Sequence, residues 1–503
     1  MKKHISYLTL FILLNISFIQ AQDKTEYLTQ VEIENDLKFL SDILENKSSY
    51  QGLNGFDYRK DFNNYLQQIG DKKISQSDFG LFLSKTIGEI GDRHSFVKGY
   101  DLPETLYFPF SFAPYKEKVL VLKYEKADRK YNIYNSQFPY LKSINNVPIE
   151  KVLQQIRPND KLAPKKSYLL NAVRDLRDIE TVFSVLKINL PNPLPITLEN
   201  ENGIKKLINV TLVSDDEKGY LWDEKFHKKD FYFYYKDEKL NDKQLLEQFF
   251  SINNNIGYIQ VYAMLDKEES PVFFELLNDF IKKAKDTESL IIDVRDNGGG
   301  SRDLINELAG YFIDPNSIYV VNATKQRGIL PLNEDLKQRL HNRYLFSRDE
   351  LNNKEQKAVD DFMNAFEPMY KLDKDKFSEY YYYIFNGQKI TKGKYHYDKP
   401  IYILTNENSF SAASVLVSTL KGLPNIKVVG VNTDGSSGNS ERFKLPNSEL
   451  RGKISTMVSF QKDGKILDGI GTEPDIIIER NLDQIFIKED YQLNRLLEII
   501  KAE

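Results

Sequence analysis

Three serines in the stretch TNENSFSAASVLVSTL, residues 405–420, could either attack a substrate or cap a helix. The preceding apolar run PIYIL, residues 400–404, predicts a strand, and the residues after the serines predict a helix. Ser409 stands at the position of an N-cap, and Ser411 falls in the first turn, where a helix N-terminus favours developing negative charge. Ser414 lies one turn further on and is interpreted as helix surface or packing. Taken alone, such serines are more often caps than nucleophiles, so both roles stay open.

A nucleophilic serine needs a base, and histidine is a common one. Four histidines follow residue 21, and these are His94, His227, His341 and His396. The last three lie in charged or tyrosine-rich segments, whereas His94 follows a predicted helix stop in GDRHSFV. A lone histidine in such a loop is more often structural than catalytic. His94 is therefore a candidate base only in combination with other motifs.

A glycine turn in LIIDVRDNGGGSRD, residues 290–303, is a candidate anion site. Residues 297–300 end a predicted buried strand and expose backbone N–H groups that no side chain covers. Such a turn can hold an oxyanion or a phosphate, although an ordinary strand-to-helix turn has the same composition. The turn contains neither GxGxxG nor GxxxxGK[ST], which argues against a nucleotide site.

Composition indicates a soluble globular protein, because 41% of the 503 residues are hydrophobic and 28% are charged. The net charge of −4 gives no reason to expect binding to nucleic acid. Residues 1–21 have the pattern of a secretory signal peptide, whose removal would change the net charge to −6 by taking away two lysines. The chain has no cysteine and therefore no disulfide. We expect an exported bacterial protein, either periplasmic or secreted.

The spacing of apolar residues predicts an α/β protein with several regions. Strand and helix patterns alternate in the largest region, which indicates a parallel or mixed sheet covered by helices. The predicted regions are a signal peptide (1–21), a helical N-terminal domain carrying His94 (22–100), a β-rich region with a PDZ-like segment (101–215), a charged linker (216–254), a core (255–482) and a C-terminal helix (483–503). A charged, tyrosine-rich insertion (325–395) interrupts the core and could be a lid.

Four motifs together resemble one family. LIIDVRDNGGG, YILTNENSFSAAS, VVGVNTDGSSG and GIGTEPDI occur in the order found in carboxyl-terminal-processing and tricorn-core serine peptidases, and GDRHSF resembles the histidine element of the tricorn-like branch. The resemblance covers residues 255–480 well, apart from the insertion, and residues 80–97 loosely. It implies a crotonase/ClpP-like βαβ core, a secreted or periplasmic serine endopeptidase acting on peptide or protein substrates, and no metal or other cofactor.

The resemblance also implies roles for particular residues. Ser411 corresponds to the nucleophile and His94 to the base of the tricorn-like branch, since Ser436 stands where the tail-specific branch has a lysine. Asp468 matches the orienting acid best, with Glu473 as second choice. The backbone N–H groups of Ala412 and Gly299 would form the oxyanion hole. Ser409 would then be the helix cap, and Arg93 departs from the serine that precedes the histidine in tricorn proteases.

Two other classes of function remain open. A non-catalytic protein that binds peptides or apolar ligands could use the same fold, and the 31 tyrosines and 31 phenylalanines would suit it. Such a protein would not need a serine, a histidine and an acid together. A carbohydrate-active protein with paired carboxylates has little support, because no pair stands out among the 73 acidic residues. The sequence gives no indication of oligomeric state.

Overall fold

The computed structural model describes residues 27–100, 102, 104–157, 162–224 and 243–503. The predicted signal peptide and much of the predicted linker lie outside these residues. The N-terminal region is helical and consists of β1 (Tyr27–Leu28), α1 (Gln30–Lys47), α2 (Tyr58–Ile69), β2 (Ile74–Ser75), α3 (Gln76–Ile90) and β3 (Phe96–Lys98). Ser75 caps α3 by accepting a hydrogen bond from the Asp78 N–H, and Gly91 ends it with a φ of 95°. Both features agree with the sequence pattern.

A second region is built on an antiparallel sheet of seven strands with three helices against it. Its elements are β4 (Ser111–Tyr115), β5 (Lys118–Glu125), β6 (Lys130–Ile133), β7 (Tyr140–Ile144), β8 (Val147–Pro148), α4 (Ile149–Ile156), α5 (Lys165–Asp175), α6 (Ile179–Leu186), β9 (Leu194–Glu199) and β10 (Lys205–Val210). The order along the sheet is β10-β9-β7-β5-β4, with β6 beside β5 and β8 beside β7. Every second residue of β9 is buried, as expected for a sheet with one covered face.

The remaining chain forms an α/β core with further sheets attached to it. Its elements are α7 (Lys243–Leu246), β11 (Phe250–Asn253), β12 (Ile256–Gln260), α8 (Pro271–Lys283), β13 (Ser289–Asp293), α9 (Asp303–Phe312), β14 (Ile318–Gln326), α10 (Glu334–His341), β15 (Leu345–Ser347), α11 (Asn353–Ala365), β16 (Tyr381–Asn386), α12 (Gly387–Ile390), β17 (Ile401–Thr405), α13 (Ala412–Leu420), β18 (Ile426–Gly430), β19 (Ser440–Lys444), β20 (Arg451–Ser455), β21 (Met457–Phe460), β22 (Ile476–Ile477), α14 (Leu482–Ile485) and α15 (Tyr491–Ala502).

The main sheet has the strand order β11-β12-β13-β17-β18-β22, and all its pairings after β11–β12 are parallel. Every residue of β13 and of β17 is buried, which is the expected state of central parallel strands covered on both faces. The predicted fold class, an α/β core with a helical N-terminal region, is therefore confirmed. Among the described residues, no helix is long and apolar enough to cross a membrane.

The predicted insertion is an integral part of a second sheet. Residues 325–395 contribute β15 and β16, which join β14 and β21 in the antiparallel order β15-β16-β14-β21. A third sheet, β19-β20-β3, connects the core with the N-terminal region, and it places Val97 opposite Gly452. N-terminal helices and core strands also share one apolar cluster that includes Leu83, Ile87 and Phe460. The loop between α3 and β3, which carries His94, is thereby held against the core.

Candidate active site

The glycine turn and the serine turn lie side by side because the strands before them are neighbours. β13 and β17 pair in parallel, with Asp293 opposite Leu404, so both turns leave the same edge of the sheet. Ligands of open α/β sheets commonly bind at this edge. The Phe410 N–H donates to the Asn297 carbonyl oxygen at 2.9 Å, and the Asn406 side chain bonds to Asp296 at 3.0 Å. The two turns therefore form one connected structure.

Ser411 stands directly before α13 in a conformation that serine rarely adopts. Its φ is 55° and its ψ is −123°, and its side chain makes no capping hydrogen bond. Such a backbone costs on the order of 1–3 kcal/mol and persists only where neighbours enforce it. Gly299 is one of these neighbours, since a Cβ on it would lie 2.5 Å from the Ser411 Cβ and 3.0 Å from the Ala412 nitrogen. The site is thus built around a serine held in a strained turn.

The prediction that Ser409 caps the helix is wrong. Ser411 occupies the N-cap position, and α13 begins one residue later. The Ser409 hydroxyl instead donates to the Val294 carbonyl oxygen at 2.9 Å and accepts from the Asn406 N–H at 3.2 Å. It ties the serine turn to the end of β13. Ser414 is fully buried and donates to the Ser409 carbonyl oxygen at 2.6 Å. Of the two predicted roles, helix surface and packing, the structure therefore shows packing.

His94 lies next to the serine turn and is only 5% exposed. Its imidazole stacks on the Phe410 ring with 5.0 Å between centroids, and its Nδ1 is 3.8 Å from Asp468 Oδ1. No hydrogen bond joins the imidazole to another described residue, and Nδ1 is buried without a partner. Burial, together with the nearby Lys453 ammonium, lowers the pKa of His94 well below its ordinary value. The imidazole is therefore neutral at pH 7, as a general base must be.

The sequence left two candidates for the orienting acid, Asp468 and Glu473, and the structure places Asp468 near His94. Asp468 is fully buried, accepts a hydrogen bond from the Tyr50 hydroxyl at 3.0 Å, and accepts one from the Ser437 N–H at 3.3 Å. Burial raises the pKa of Asp468 to about 7. Glu473 has an exposed side chain, and only its carbonyl oxygen is engaged, by the Lys421 ammonium at 2.6 Å.

Several residues at the site were not identified from the sequence. Asp92 is buried, accepts from the Ser95 N–H at 2.7 Å, and has its pKa raised by burial and by the Asp468 carboxylate. Arg93 forms an ion pair with Asp434, and the two side chains are 8% and 3% exposed. Asp434 lies inside the recognised motif VVGVNTDGSSG, so a partner for Arg93 could have been sought there. The Arg93 pair fixes the His94 loop to the loop that reaches Asp468.

The predicted role of Gly299 as an oxyanion donor needs correction in this arrangement. Its N–H donates to Asn297 Oδ1 at 2.8 Å and is already occupied. The Ala412 N–H has no hydrogen-bond partner among the described residues, and the same is true of the Gly300 N–H. Ala412 and Gly300 line one cleft together with Ser411. In this arrangement the Gly299 N–H is engaged, whereas the N–H groups of Ala412 and Gly300 are not bonded to any described residue.

No lysine stands at the position where the tail-specific branch has its base, since that residue is Ser436. Ser436, at the lysine position of the tail-specific branch, is buried. The lysines nearest to Ser436 in the sequence are Lys427 and Lys444, and both are exposed. Lys427 pairs with Glu503 at 2.8 Å, and Lys444 pairs with Glu449 at 2.7 Å. Within the described ranges, no group of three or more His, Asp or Glu residues could hold a metal ion. The site therefore brings together a serine, a neutral imidazole and a buried acid.

Known proteins resemble this chain in sequence and in structure. Residues 255–478 match the model of Peptidase family S41. The chain is 26% identical over 111 residues to a protein of Chlamydia pneumoniae, a match that spans 22% of this chain and 17% of that protein. Mature CPAF complexed with lactacystin superposes with a TM-score of 0.58 at 15% identity, covering 94% of this chain and 100% of that chain.

A second structure of mature CPAF gives a TM-score of 0.56 at 16% identity, covering 94% of this chain and 99% of that chain. At these identities the superpositions show a shared fold, and the family match carries the assignment. That match runs from the residue before β12 to the residue after β22, so it includes the glycine turn, Ser411 and Asp468. Residues 255–478 are therefore similar to the peptidase domain of family S41.

Proposed function

We propose that the protein is a serine endopeptidase in which Ser411 is the nucleophile, His94 the base and Asp468 the orienting acid. The observation that carries the proposal is the strained Ser411 at the start of α13, next to a buried neutral imidazole whose Nδ1 is 3.8 Å from a buried carboxyl. Strained residues of this kind cluster at catalytic sites. The similarity to family S41 supplies the reaction class, which is hydrolysis of peptide bonds.

The first step is attack on the peptide carbonyl carbon. His94 takes the Ser411 hydroxyl proton as Oγ bonds to that carbon, and the carbonyl oxygen becomes an oxyanion. The Ala412 and Gly300 N–H groups lie beside Ser411 and would donate to this oxyanion. His94 then gives its proton to the leaving amine, and the C–N bond breaks. Water repeats the sequence on the acyl-enzyme and releases the second product.

Asp468 acts on the imidazole and not on the substrate. An ionised carboxylate stabilises the imidazolium that forms during the attack and holds Nδ1 as the protonated nitrogen. The 3.8 Å separation must shorten to about 3 Å for that hydrogen bond to form. The Tyr50 hydroxyl and the Ser437 N–H already fix the two carboxyl oxygens, so the imidazole of His94 would be the group that approaches.

Export is a further part of the proposal. Residues 1–21 have the charged start, apolar run and small-residue end of a signal peptide, which predicts a periplasmic or secreted enzyme. Peptides or proteins in that compartment would be its substrates. A chain that is found in the cytoplasm with its first 21 residues still attached would contradict this part of the proposal.

The test of the proposed function is replacement of the nucleophile. Ser411→Ala should abolish cleavage of an unfolded protein substrate, because the attacking oxygen is gone, while the thermal unfolding midpoint stays close to that of the wild type. Ser214→Ala is the matched control, since Ser214 is exposed and also precedes a helix without a side-chain capping bond. Undiminished cleavage by Ser411→Ala would remove Ser411 from the mechanism and favour the non-catalytic alternative.

A further inference from the structure

The cleft beside Ser411 has a volume of about 260 Å³, and two arginines are among the residues that line it. Three of the residues that line it, Ser411, Ala412 and Gly300, are used by the proposed mechanism. Arg302 and Arg343 line the same cleft. Arg343 belongs to the segment that the sequence marks as an insertion in the core. A side chain next to the scissile bond would enter this cleft when the carbonyl carbon reaches Ser411.

Arg302 is buried without a carboxylate partner. It is 5% exposed, its Nη1 donates to the Arg343 carbonyl oxygen at 3.2 Å, and its guanidinium lies 5.7 Å from the Tyr383 ring centroid. It forms no ion pair with any described residue. The buried Arg295, in contrast, pairs with Asp293 at 2.7 Å. A buried cation without a counter-ion is costly, so an unpaired guanidinium at a cleft indicates that an anion binds there.

Arg343 adds a second unpaired charge at the same place. It is half-buried, and its Nη1 donates to the Arg339 carbonyl oxygen at 2.8 Å, with no ion pair to a described carboxylate. Burial, with a smaller contribution from the Arg343 charge, lowers the pKa of Arg302 to about 10. Burial also lowers the pKa of Arg343. An anion between the two groups would relieve both effects.

One carboxylate, that of Asp266, belongs to a residue that also lines the cleft. Its Oδ1 accepts hydrogen bonds from the Glu268 N–H at 2.9 Å and the Glu269 N–H at 3.2 Å, so it closes its own turn. It forms no ion pair with either arginine. Two guanidinium groups against one carboxylate leave a net positive charge in the cleft.

We propose that this cleft is a specificity subsite for a carboxylate of the substrate residue adjacent to the scissile bond. The carboxylate is either the side chain of an aspartate or glutamate or the terminal carboxylate of the substrate. Guanidinium groups bind carboxylates through paired N–H···O bonds, which gives orientation as well as affinity. The inference rests on the proposed peptidase function, because it places the cleft next to the bond that Ser411 attacks.

The experiment compares matched peptides that differ only in one residue at the cleavage site, glutamate, glutamine or lysine, each with a free or an amidated C-terminus. Wild-type protein should cleave the preferred carboxylate series with a kcat/KM about tenfold or more above the glutamine series, as expected for a hydrogen bond to a charged group. If amidated peptides are cleaved faster with glutamate than with glutamine, the bound carboxylate is the side chain. If cleavage is faster only with a free C-terminus, the bound carboxylate is the terminal one. Equal rates for all series, or a preference for lysine, would overturn the proposal.

Arg343→Gln is the diagnostic variant, since the half-buried side chain can be shortened without emptying the core. It should lower kcat/KM for the carboxylate series to the level that the same variant shows for the glutamine series. Arg339→Gln is the matched control, because Arg339 lies on α10 with an exposed side chain, and its hydrogen bond to Arg343 comes from the carbonyl oxygen, which the substitution keeps. A preference that survives unchanged in Arg343→Gln would contradict the assignment.

Binding separates a failure of the subsite from a failure of the peptidase proposal. The same peptides are titrated into Ser411→Ala by calorimetry, with and without Arg343→Gln in addition. Tighter binding of the carboxylate series that depends on Arg343 supports the subsite even where wild-type protein cleaves nothing, and in that case only the peptidase proposal falls. Cleavage without any charge preference in rate or binding overturns the subsite and leaves the peptidase proposal standing.

Discussion

Replacing Gly299 by alanine tests whether the glycine turn sets the position of the nucleophile. The residue has a φ of 95°, and an added Cβ would lie 2.5 Å from the Ser411 Cβ and 3.0 Å from the Phe410 carbonyl oxygen. Carbon atoms in contact stay about 3.5–4.0 Å apart, so the two turns must separate by about 1 Å. A separation of this size displaces Ser411 relative to the glycine turn.

The substitution has two expected effects, a loss of stability and a loss of catalytic rate, and they can be measured separately. The left-handed backbone alone costs alanine about 1–2 kcal/mol of stability. Displacement of a reacting group by about 1 Å costs on the order of 100-fold in rate. Gly203→Ala is the matched control, because Gly203 has a φ of 77° and an added Cβ there meets nothing within 4 Å. The control should lose stability only.

The assay combines kcat on a peptide substrate with the free energy of unfolding in urea. Gly299→Ala should lose about 100-fold in kcat, whereas Gly203→Ala should keep the wild-type kcat at a similar loss of stability. Wild-type turnover by Gly299→Ala would refute the reasoning, because the serine turn would then tolerate the separation. An equal loss of turnover in both variants would refute it as well, since backbone strain alone would be the cause.

Three further predictions concern the base, the acid and their supports. Asp468→Asn should lower kcat by on the order of 10⁴ with little change in KM, because the imidazole loses its orienting partner. Glu473→Gln, on an exposed side chain, should leave both constants unchanged, and the reverse ranking would move the acid to Glu473. In a pH–rate profile, activity should fall as the pH drops through about 7, since burial raises the pKa of Asp468 to about 7 and the acid takes up a proton below that value. An identical acidic limb in the residual activity of Asp468→Asn would contradict that assignment. Arg93→Gln should cost about 3–5 kcal/mol in urea unfolding, because Asp434 is left buried and unpaired. A cost below about 1 kcal/mol would show that the pair is not needed.

The sequence predicts best what depends on local pattern. Apolar runs and the serine stretch predicted the parallel strands, and Gly91 predicted the end of α3. The occupied N–H of Gly299 could also have been anticipated, since an asparagine side chain commonly accepts a bond from the backbone two residues ahead. The wrong assignment of Ser409 as the cap has a physical reason. Its hydroxyl is used by the neighbouring strand, which the sequence does not reveal.

Contacts across long stretches of chain were beyond sequence reasoning. Tyr50 and Asp468 are 418 positions apart, and no motif surrounds the tyrosine. Arg343 lies in a charged segment that resembles a surface lid, yet the second sheet places it in the cleft with Ser411. The choice between Asp468 and Glu473 likewise required the fold, because both flank the same glycine-containing turn and only one of them faces inward.

Reaction with a broad serine-reactive probe, such as a fluorophosphonate, followed by peptide mapping, tests the central claim most directly. An activated serine reacts with such a probe, and serines whose hydroxyls serve only in folding do not. The account predicts a single modified residue, Ser411, and no modification of the Ser411→Ala protein. The His94→Ala variant should react far more slowly, because its serine has no base. Modification at another serine, or none on the folded wild-type protein, would contradict the assignment of Ser411 as the nucleophile.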